Sequence, residues 1–355
     1  MNKKLEEKTL FDVEYIFIDG ISRSGKGAIA PFVSSFKNVE HWNQSFNLDR
    51  LHFLLETDQI SEAGFRYFFE TDLIKDTWFS MIGRNVNTNA HDISSVLNSA
   101  DPKKYLNRFD RKDTPQVFEQ IKNEVEDNKL IFPYLTDDFI FQQKLIKKII
   151  PKSKFIVSIR HPIELVFAWE RSGRGVRFGT DQRYLNPTFE HNGYKNIPHF
   201  ALDQAKEYSE ANSVEKCILS INVLQKNYNE IFEQKVPDTM YVNFDEFSLN
   251  PNDKLESMER FIGTNISNDL EKIFTRGRFP RSLDLDLHSR KAEAIFLSIR
   301  GEFRNMLIAL CEQYSDLYGD PYSIDYYKFM STKIKKIDFT KLTNDPQYIG
   351  GNRIN

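Results

Sequence analysis

Cysteine is scarce in this chain, which has 2 among 355 residues, Cys217 and Cys311. Each stands in an apolar, helix-like pattern, which favours a small buried side chain over a disulfide or a metal ligand. No His/Cys cluster with ligand spacing occurs, so we expect no metal. The low cysteine content agrees with a reducing compartment.

Long apolar runs and an excess of charge are also missing. The first residues, MNKKLEEKTLFD, lack the apolar core of a signal peptide, and no stretch approaches membrane-spanning length. The 48 Lys and Arg nearly balance the 51 Asp and Glu, and the formal net charge of -3 gives no reason to expect nucleic acid or an anionic membrane as a partner. We therefore expect a soluble, cytoplasmic protein in which any anion site is local.

What the chain does contain is a phosphate-type loop within YIFIDGISRSGKGAIAPFV, residues 15–33. An apolar strand is predicted over Val13 to Ile18, and it breaks at Gly20 into a polar loop that continues as a helix near Gly25. In such a loop, backbone N–H groups and the positive end of the helix dipole converge on one hollow. Arg23 and Lys26 add positive charge, so the loop suits a phosphate or sulfate group.

The rest of the chain predicts one α/β domain over residues 1–330 and a tail over 331–355. Strands alternate with helices, and the near-continuous apolar runs of the strands predict a mostly parallel sheet with helices on both faces. A helical insertion is expected at about 43–128 and a lid-like loop at about 173–213. The other predicted elements are strands at 37–42, 130–136, 154–160 and 239–247 and helices at 48–56, 63–81, 114–127, 138–150, 214–236, 251–262 and 289–314.

A second anion site is predicted where the strand KFIVSIR ends at Arg160. His161-Pro162 breaks the strand and begins a helix with Glu164 in its first turn. Because ligands collect outside the carboxyl ends of parallel strands, Arg160 and the Gly20 loop are expected at the same sheet edge. Three further arginines either surround a second anion or form a solvated basic face: Arg171, Arg174 and Arg177.

Four segments, in this order, resemble the sulfotransferase superfamily that uses 3'-phosphoadenosine 5'-phosphosulfate (PAPS). Arg23-Ser24-Gly25 looks like the loop that holds the 5'-phosphosulfate, and KFIVSIRHP resembles the strand and Arg that hold the 3'-phosphate. YVNFDEFSLNPNDKLESMERFIG resembles the strand, acidic turn and helix of the family. RGRFP, followed by HSRKAEAIFLSIRGEFRNMLIAL, is similar to the loop and helix with which heparan-type members close over the nucleotide. Together the segments cover most of residues 13–315.

The resemblance implies a P-loop-like sulfotransferase fold and transfer of a sulfuryl group from PAPS to a hydroxyl or amine, with a carbohydrate or another alcohol as acceptor and no metal. It implies that Arg23 or Lys26 stabilises the departing 3'-phosphoadenosine 5'-phosphate (PAP). A base after the first helix would take the acceptor proton, with Glu40 or His41 favoured and Asp49 and His52 as alternatives. The implied nucleotide-binding residues are Ser22, Arg23, Ser24, Gly25, Lys26, Gly27, Ala28, Arg160, Arg276, Gly277 and Arg278.

The sequence departs from the family pattern at two places. Lys26-Gly27 stands where the family has Thr or another small residue, and Ala168 replaces a serine that binds the 3'-phosphate, a contact that Arg278 could supply. Three tryptophans could stack on a sugar or adenine ring, although a place in the core is the default: Trp42, Trp78 and Trp169.

Two alternatives follow from the same residues. IDGISRSGKGAIA also resembles the loop of nucleoside-monophosphate kinases, in which Lys26 would reach the β- and γ-phosphates of ATP. In that class Asp137 or Asp138 would bind Mg²⁺, but Ala28 replaces the expected Mg²⁺-binding hydroxyl. The arginines of such a kinase's lid would be Arg171, Arg174, Arg177 and Arg183. A phosphonucleotide-binding protein without catalysis is the other alternative.

Overall fold

The computed structural model describes residues 5–6, 8, 11–184, 186–267, 270–334 and 339. Its strands are β1 Glu14–Asp19, β2 Asn43–Gln44, β3 Ile131–Leu135, β4 Lys154–Ile159, β5 Thr188–His191, β6 Tyr194–Pro198 and β7 Thr239–Asn243. Its α-helices are α1 Lys26–Val33, α2 Phe46–Glu56, α3 Glu62–Met81, α4 Pro102–Leu106, α5 Pro115–Asp127, α6 Gln143–Ile149, α7 Pro162–Arg171, α8 Arg174–Arg177, α9 Ala205–Glu210, α10 Ser213–Glu233, α11 Phe244–Leu249, α12 Pro251–Ile262, α13 Glu271–Gly277, α14 Leu285–Ser298 and α15 Gly301–Tyr318.

The main sheet has five strands among the described residues, in the order β2-β3-β1-β4-β7. Strand β1 lies between β3 and β4 and pairs with both in parallel. In this register Ile18 is opposite Leu135 on one side and Ile156 on the other. The predicted α/β class, a parallel sheet flanked by helices, is confirmed.

Strand β1 is buried on both faces, which explains its continuous apolar run. On one face the rings of Tyr15 and Phe17 contact Tyr134 of β3. On the other face Ile16 and Ile18 belong to the core cluster that includes α1, α12 and α13. The sheet therefore holds the end of β1 and the loop after it in a fixed position.

The chain forms two compact units. One consists of the described residues within 1–158 and 236–280, and the other of those within 159–235 and 281–355. The predicted single domain over 1–330 stays a prediction, and most of the predicted tail at 331–355 lies outside the described residues.

Several predicted elements differ from the structure, each for a local reason. The second strand is Asn43–Gln44 rather than 37–42, since Asn38 has a left-handed φ of 62° that interrupts an extended run. The strand predicted at 239–247 ends at Asn243, whose side chain accepts hydrogen bonds from the first N–H groups of α11. The helix predicted at 289–314 is two helices, because Ile299 is extended.

The segment predicted as a lid-like loop contains regular structure. Strands β5 and β6 form an antiparallel pair, joined through Asn192 and Gly193, which have φ values of 51° and 82°. Two positive φ values in a two-residue turn are typical of the Asn-Gly hairpin. Helices α8 and α9 lie before and after this hairpin.

Both cysteines are buried as free thiols in the second unit. Burial raises the pKa of the Cys217 thiol and of the Cys311 thiol well above the ordinary value. No helix in the described part of the chain is long and apolar enough to cross a bilayer. The cytoplasmic location stays a prediction.

Candidate functional site

The loop between β1 and α1 requires glycine at two positions. Gly20 has a φ of 139°, and a Cβ atom there would lie 2.4 Å from the carbonyl oxygen of Ser158. Gly25 has a φ of 105°, and a Cβ atom there would lie 2.2 Å from the ring of Phe244. Both the backbone conformation and the close approach of neighbours therefore exclude a side chain.

The hollow formed by this loop leaves polar groups for a ligand. Gly25 precedes α1, which has neither a side-chain cap at its N-terminus nor an acidic residue in its first turn. The Ser24 hydroxyl is 1% exposed and has no hydrogen-bond partner among the described residues, although the Ser24 carbonyl accepts a 2.9 Å hydrogen bond from Ser158 Oγ. A buried hydroxyl without a partner costs about 1–3 kcal/mol, so an anion that accepts its hydrogen bond would be favoured.

Lys26 lies at the start of α1 with its ammonium turned toward protein acceptors. Its Nζ donates to the carbonyl of Gly20 at 2.6 Å, to the carbonyl of Thr136 and to the carboxylate of Asp137. An ammonium group has three N–H donors. All three are used in this conformation, so Lys26 must leave Asp137 before it can bind a ligand.

Acidic side chains surround Lys26. Asp137 N–H donates to the Asp49 carboxylate at 2.8 Å, and the Asp19 carboxylate accepts from Ile140 N–H at 2.8 Å. Burial raises the pKa of Asp49 well above its ordinary value, and the Asp137 charge adds to this increase. Burial likewise raises the pKa of Asp19, although Lys26 opposes it.

Arg160 follows β4 and lies in a network within the second unit. Its NH2 group donates to the Glu164 carboxylate at 3.3 Å. Glu164 also accepts from Lys291 at 2.7 and 2.9 Å and from His288 Nδ1 at 2.9 Å. Burial alone would raise the pKa of Glu164, but Lys291, His288 and Arg160 together hold that pKa well below its ordinary value. Glu164 therefore fixes the direction of Arg160.

A chain of hydrogen bonds extends this network. The Tyr326 hydroxyl lies 2.7 Å from His288 Nε2 and 3.2 Å from His161 Nε2. His161 Nδ1 accepts from the backbone N–H of Ile163, so its proton is on Nε2. Burial lowers the pKa of His161 well below its ordinary value, which keeps this ring neutral.

Replacing Glu164 with glutamine is expected to change how stability depends on pH. Because the pKa of Glu164 is lowered in the folded state, its stabilisation is complete above its unfolded pKa of about 4.3 and is lost as pH falls toward the folded value. The difference in unfolding free energy between wild type and Glu164→Gln should therefore shrink below about pH 5. Denaturant titrations at several pH values measure this difference in unfolding free energy. Glu293→Gln, at an exposed position of α14, is the control. A difference that does not vary with pH would contradict the lowered pKa.

Glu40 and His41 are not where the sequence places them. They were expected at the carboxyl end of the second strand, but Glu40 comes before β2, and its N–H donates to Ile131 O at the start of β3. Two hydrogen bonds of 2.9 and 3.0 Å pair the Glu40 carboxylate with Arg108. The expected position at the ligand edge is therefore wrong, because the chain enters β2 later than predicted.

The two alternative bases lie beside the loop. Asp49 contacts Asp137 N–H, and His52 Nε2 lies 3.0 Å from the Asp137 carbonyl oxygen. Both belong to α2, which begins immediately after β2. The structure thus brings Asp49 and His52 to Lys26, but not Glu40.

The predicted basic loop at 275–281 is partly helical. Arg276 and Gly277 are the last residues of α13, and Arg278 follows with a left-handed φ of 52° that ends the helix. Both arginines are exposed, and Phe279 packs on Phe32 of α1. Their predicted contact with nucleotide stays a prediction.

Other predicted residues are placed as follows. The tryptophans are core residues, at 2%, 9% and 2% exposure: Trp42, Trp78 and Trp169. The arginines of the predicted lid lie on α7, α8 and the turn after it, where Arg177 and Arg183 both pair with Asp181. Arg23 is exposed and has a φ of 72°, and Asp138 has a φ of 59° and precedes a 3-10 turn.

Two features of the site were not predicted from the sequence. Asp19 ends the apolar strand β1 with a charge, the same signal that identified Arg160, yet it received no role. The ion pair between Lys26 and Asp137 joins residues far apart in the chain and has no local signal. Among the residues that the structure describes, no three His, Cys, Asp or Glu side chains are grouped to hold a metal ion.

The sequence matches no protein-family model and has no significant match among curated proteins. Three solved sulfotransferase structures are similar to the chain. The sulfotransferase domain of the Synechococcus PCC 7002 olefin synthase has a TM-score of 0.46 and 11% identity, over 88% of this chain and 98% of that one. Sulfotransferase STF9 from Mycobacterium avium has a TM-score of 0.41 and 10% identity, over 87% and 78% of the two chains. A sulfotransferase from Alicyclobacillus acidocaldarius has a TM-score of 0.34 and 12% identity, over 84% and 95%. The similarity concerns the arrangement of strands and helices alone. Sequence identities this low say nothing about the substrate.

Proposed function

We propose that this protein is a PAPS-dependent sulfotransferase that acts on a hydroxyl group. The observation that carries the proposal is the loop after β1, in which the Ser24 hydroxyl is buried without a partner beside an uncapped helix N-terminus. This arrangement suits a tetrahedral polyanion. The sequence resemblance of the loop and of KFIVSIRHP to the PAPS-binding motifs supports the choice of nucleotide.

The proposed roles of the loop follow from charge. PAPS, when bound, supplies the sulfuryl group and leaves as PAP. The N-terminus of α1, Ser24 and Arg23 would hold the oxygens of the 5'-phosphosulfate, and Lys26 would stabilise the negative charge that develops on transfer. Arg160, oriented by Glu164, would bind the 3'-phosphate, as the resemblance implies.

Asp49 is the base that we propose in place of Glu40. It lies beside the Lys26 cluster, and its raised pKa suits proton transfer from a hydroxyl. The Asp49→Asn variant should release PAP from PAPS about 100-fold or more slowly, with neutral monosaccharides as acceptors, because the alkoxide would form without a base. Asp58→Asn, which changes an exposed carboxylate just beyond the same helix, is the control. Equal rates for both variants would exclude Asp49.

Nucleotide binding tests the proposal directly. A ligand at 100 times its Kd stabilises the folded state by about 2.7 kcal/mol, so PAP should raise the melting temperature by about 2 °C or more, and ATP with Mg²⁺ should not.

The Arg160→Ala variant should bind PAP about 10- to 100-fold more weakly but bind 5'-AMP unchanged, because only PAP has the 3'-phosphate.

Arg183→Ala is the matched control for Arg160→Ala, since the Arg183 side chain is 83% exposed. A loss of affinity for PAP and 5'-AMP alike in Arg160→Ala would contradict a contact with the 3'-phosphate. Stabilisation by ATP with Mg²⁺ and not by PAP would overturn the sulfotransferase proposal.

A kinase is the second candidate function, and one observation favours it. Asp137 lies two residues after the end of β3 and pairs with Lys26, so a carboxylate stands beside the loop lysine where a Mg²⁺-nucleotide could bind. Against it, Ala28 provides no hydroxyl for Mg²⁺. The nucleotide comparison above separates the two candidates.

A further inference from the structure

A cavity of about 100 Å³ lies in the first unit, on the sheet face that carries Tyr134. Its wall includes Trp42 just before β2, Asn43 at the start of β2, Phe79 of α3 and Tyr105 of α4. A space of this size admits a few waters or part of a small polar ligand.

Two polar groups in this wall have no partner among the described residues. Trp42 is 2% exposed, and its Nε1–H is buried without a hydrogen-bond acceptor. His41 Nε2 lies 2.9 Å from the carbonyl oxygen of Ser94, so Nε2 carries the proton and Nδ1 presents a lone pair, which is also buried without a partner. Burial lowers the pKa of His41, which keeps the ring neutral. Two residues that line the cavity thus carry one unused donor and one unused acceptor.

The charges in the wall are already compensated. Arg108 pairs with both carboxylate oxygens of Glu40, and Lys104 reaches the same carboxylate at 2.8 Å. Asp76 lies 3.5 Å from Lys75, and burial raises the pKa of Asp76 to about 6. A ligand that brings a further charge would therefore meet no unpaired opposite charge here.

A hydroxyl group matches this wall because it both donates and accepts. It can donate to His41 Nδ1 and accept from Trp42 Nε1–H, and adjacent hydroxyls can reach the Asp76 carboxylate. The rings of Phe79 and Tyr105 can cover the apolar face of a sugar ring. Anions lack the donor, and hydrocarbons lack both.

The cavity also approaches the edge at which the phosphate-type loop lies. Tyr134 in its wall is the register partner of Phe17, and Gly20 follows three residues later. At about 3.3 Å per residue, this places the wall about 10 Å along the strands from the loop.

We propose that the cavity lined by His41, Trp42 and Asp76 binds a neutral, hydroxyl-bearing ring of the sugar class. That this sugar is the sulfuryl acceptor rests on the function proposed above. The binding itself does not, because the cavity's polar groups are independent of the nucleotide.

The test titrates the nucleotide-free, full-length protein with glucose, galactose and N-acetylglucosamine. Saturation-transfer difference NMR detects binding, and the rise of its signal with sugar concentration gives the affinity in every variant, including those that lack Trp42. Trp42→Phe removes the N–H and keeps an aromatic ring, and we expect it to weaken sugar binding about 5-fold or more, as loss of a buried hydrogen bond does. His41→Phe should weaken it similarly.

Trp78→Phe is the matched control, since Trp78 is buried against Phe118 and does not line this cavity. It should leave sugar affinity unchanged. Absence of saturation at tens of millimolar for all three sugars would overturn the proposal, as would equal affinities in Trp42→Phe and Trp78→Phe. Glucuronate that binds more tightly than glucose would overturn the neutral class.

The nucleotide result separates the two proposals. Sugar binding that depends on Trp42 in a protein that PAP does not stabilise would refute the sulfotransferase and support the cavity. PAP stabilisation without sugar binding would support the sulfotransferase and refute the cavity.

Discussion

The Arg108→Met variant is expected to unfold with a free energy about 3–5 kcal/mol lower than that of the wild type. Arg108 and Glu40 are 3% and 2% exposed, and two hydrogen bonds join them. Without the guanidinium, the Glu40 carboxylate stays buried with only the more exposed Lys104 beside it. Breaking one side of a buried ion pair costs this much because the remaining charge is desolvated. Urea unfolding measures the loss.

Two controls make this result specific. Arg84→Met breaks an ion pair with Asp113 in which both side chains are more than half exposed, and it should cost about 1 kcal/mol or less. The double variant Arg108→Met/Glu40→Gln removes both charges and should recover part of the stability. A loss in Arg108→Met no larger than in Arg84→Met would show that the pair contributes little.

The Lys26→Met variant is expected to bind PAP about 10- to 100-fold more weakly than the wild type. Methionine has a similar length and no charge, so the loop would lose its buried cation with little change in side-chain volume. A hydrogen bond to a charged group contributes about 1.5–3 kcal/mol, which corresponds to this range of affinity. Isothermal titration calorimetry measures it, with Lys37→Met, an exposed lysine beyond α1, as control.

A substitution at Asp137 is expected to change PAP affinity in the opposite direction. Lys26 uses its three donors on Gly20, Thr136 and Asp137, so binding of an anion competes with Asp137. Asp137→Asn weakens the competing contact and should tighten PAP binding. Weaker binding by Asp137→Asn together with unchanged binding by Lys26→Met would remove Lys26 from the nucleotide site.

The sequence predicted the elements whose signals are local. An apolar run predicts β1, a glycine predicts the turn at Gly20, and a helix-like pattern after the turn predicts α1. The predicted strand KFIVSIR ends within one residue of the end of β4. The three helices predicted in the insertion lie within a few residues of α2, α3 and α5, and the short α4 was not predicted. Their signals are periodicity and caps, such as Ser61, whose side chain accepts from Gly64 N–H at the start of α3.

The parts that could not be predicted depend on distant residues or on single backbone angles. Lys26 and Asp137 are 111 positions apart, and Glu40 and Arg108 are 68 apart, so neither pair has a signature in a short window. The shift of the second strand depends on the left-handed Asn38. The hairpin at Asn192-Gly193 had a recognised turn signal that the prediction of a lid-like loop overlooked.

The two buried cysteines have a practical consequence for spectroscopy. Thiolates react with maleimides and thiols do not, and the raised pKa values of Cys217 and Cys311 leave little thiolate at neutral pH. A cysteine introduced at an exposed position outside the loop, such as Lys37 beyond α1, would be the preferred target of a fluorophore. Labelling there could then report on occupancy of the loop without removing the native thiols.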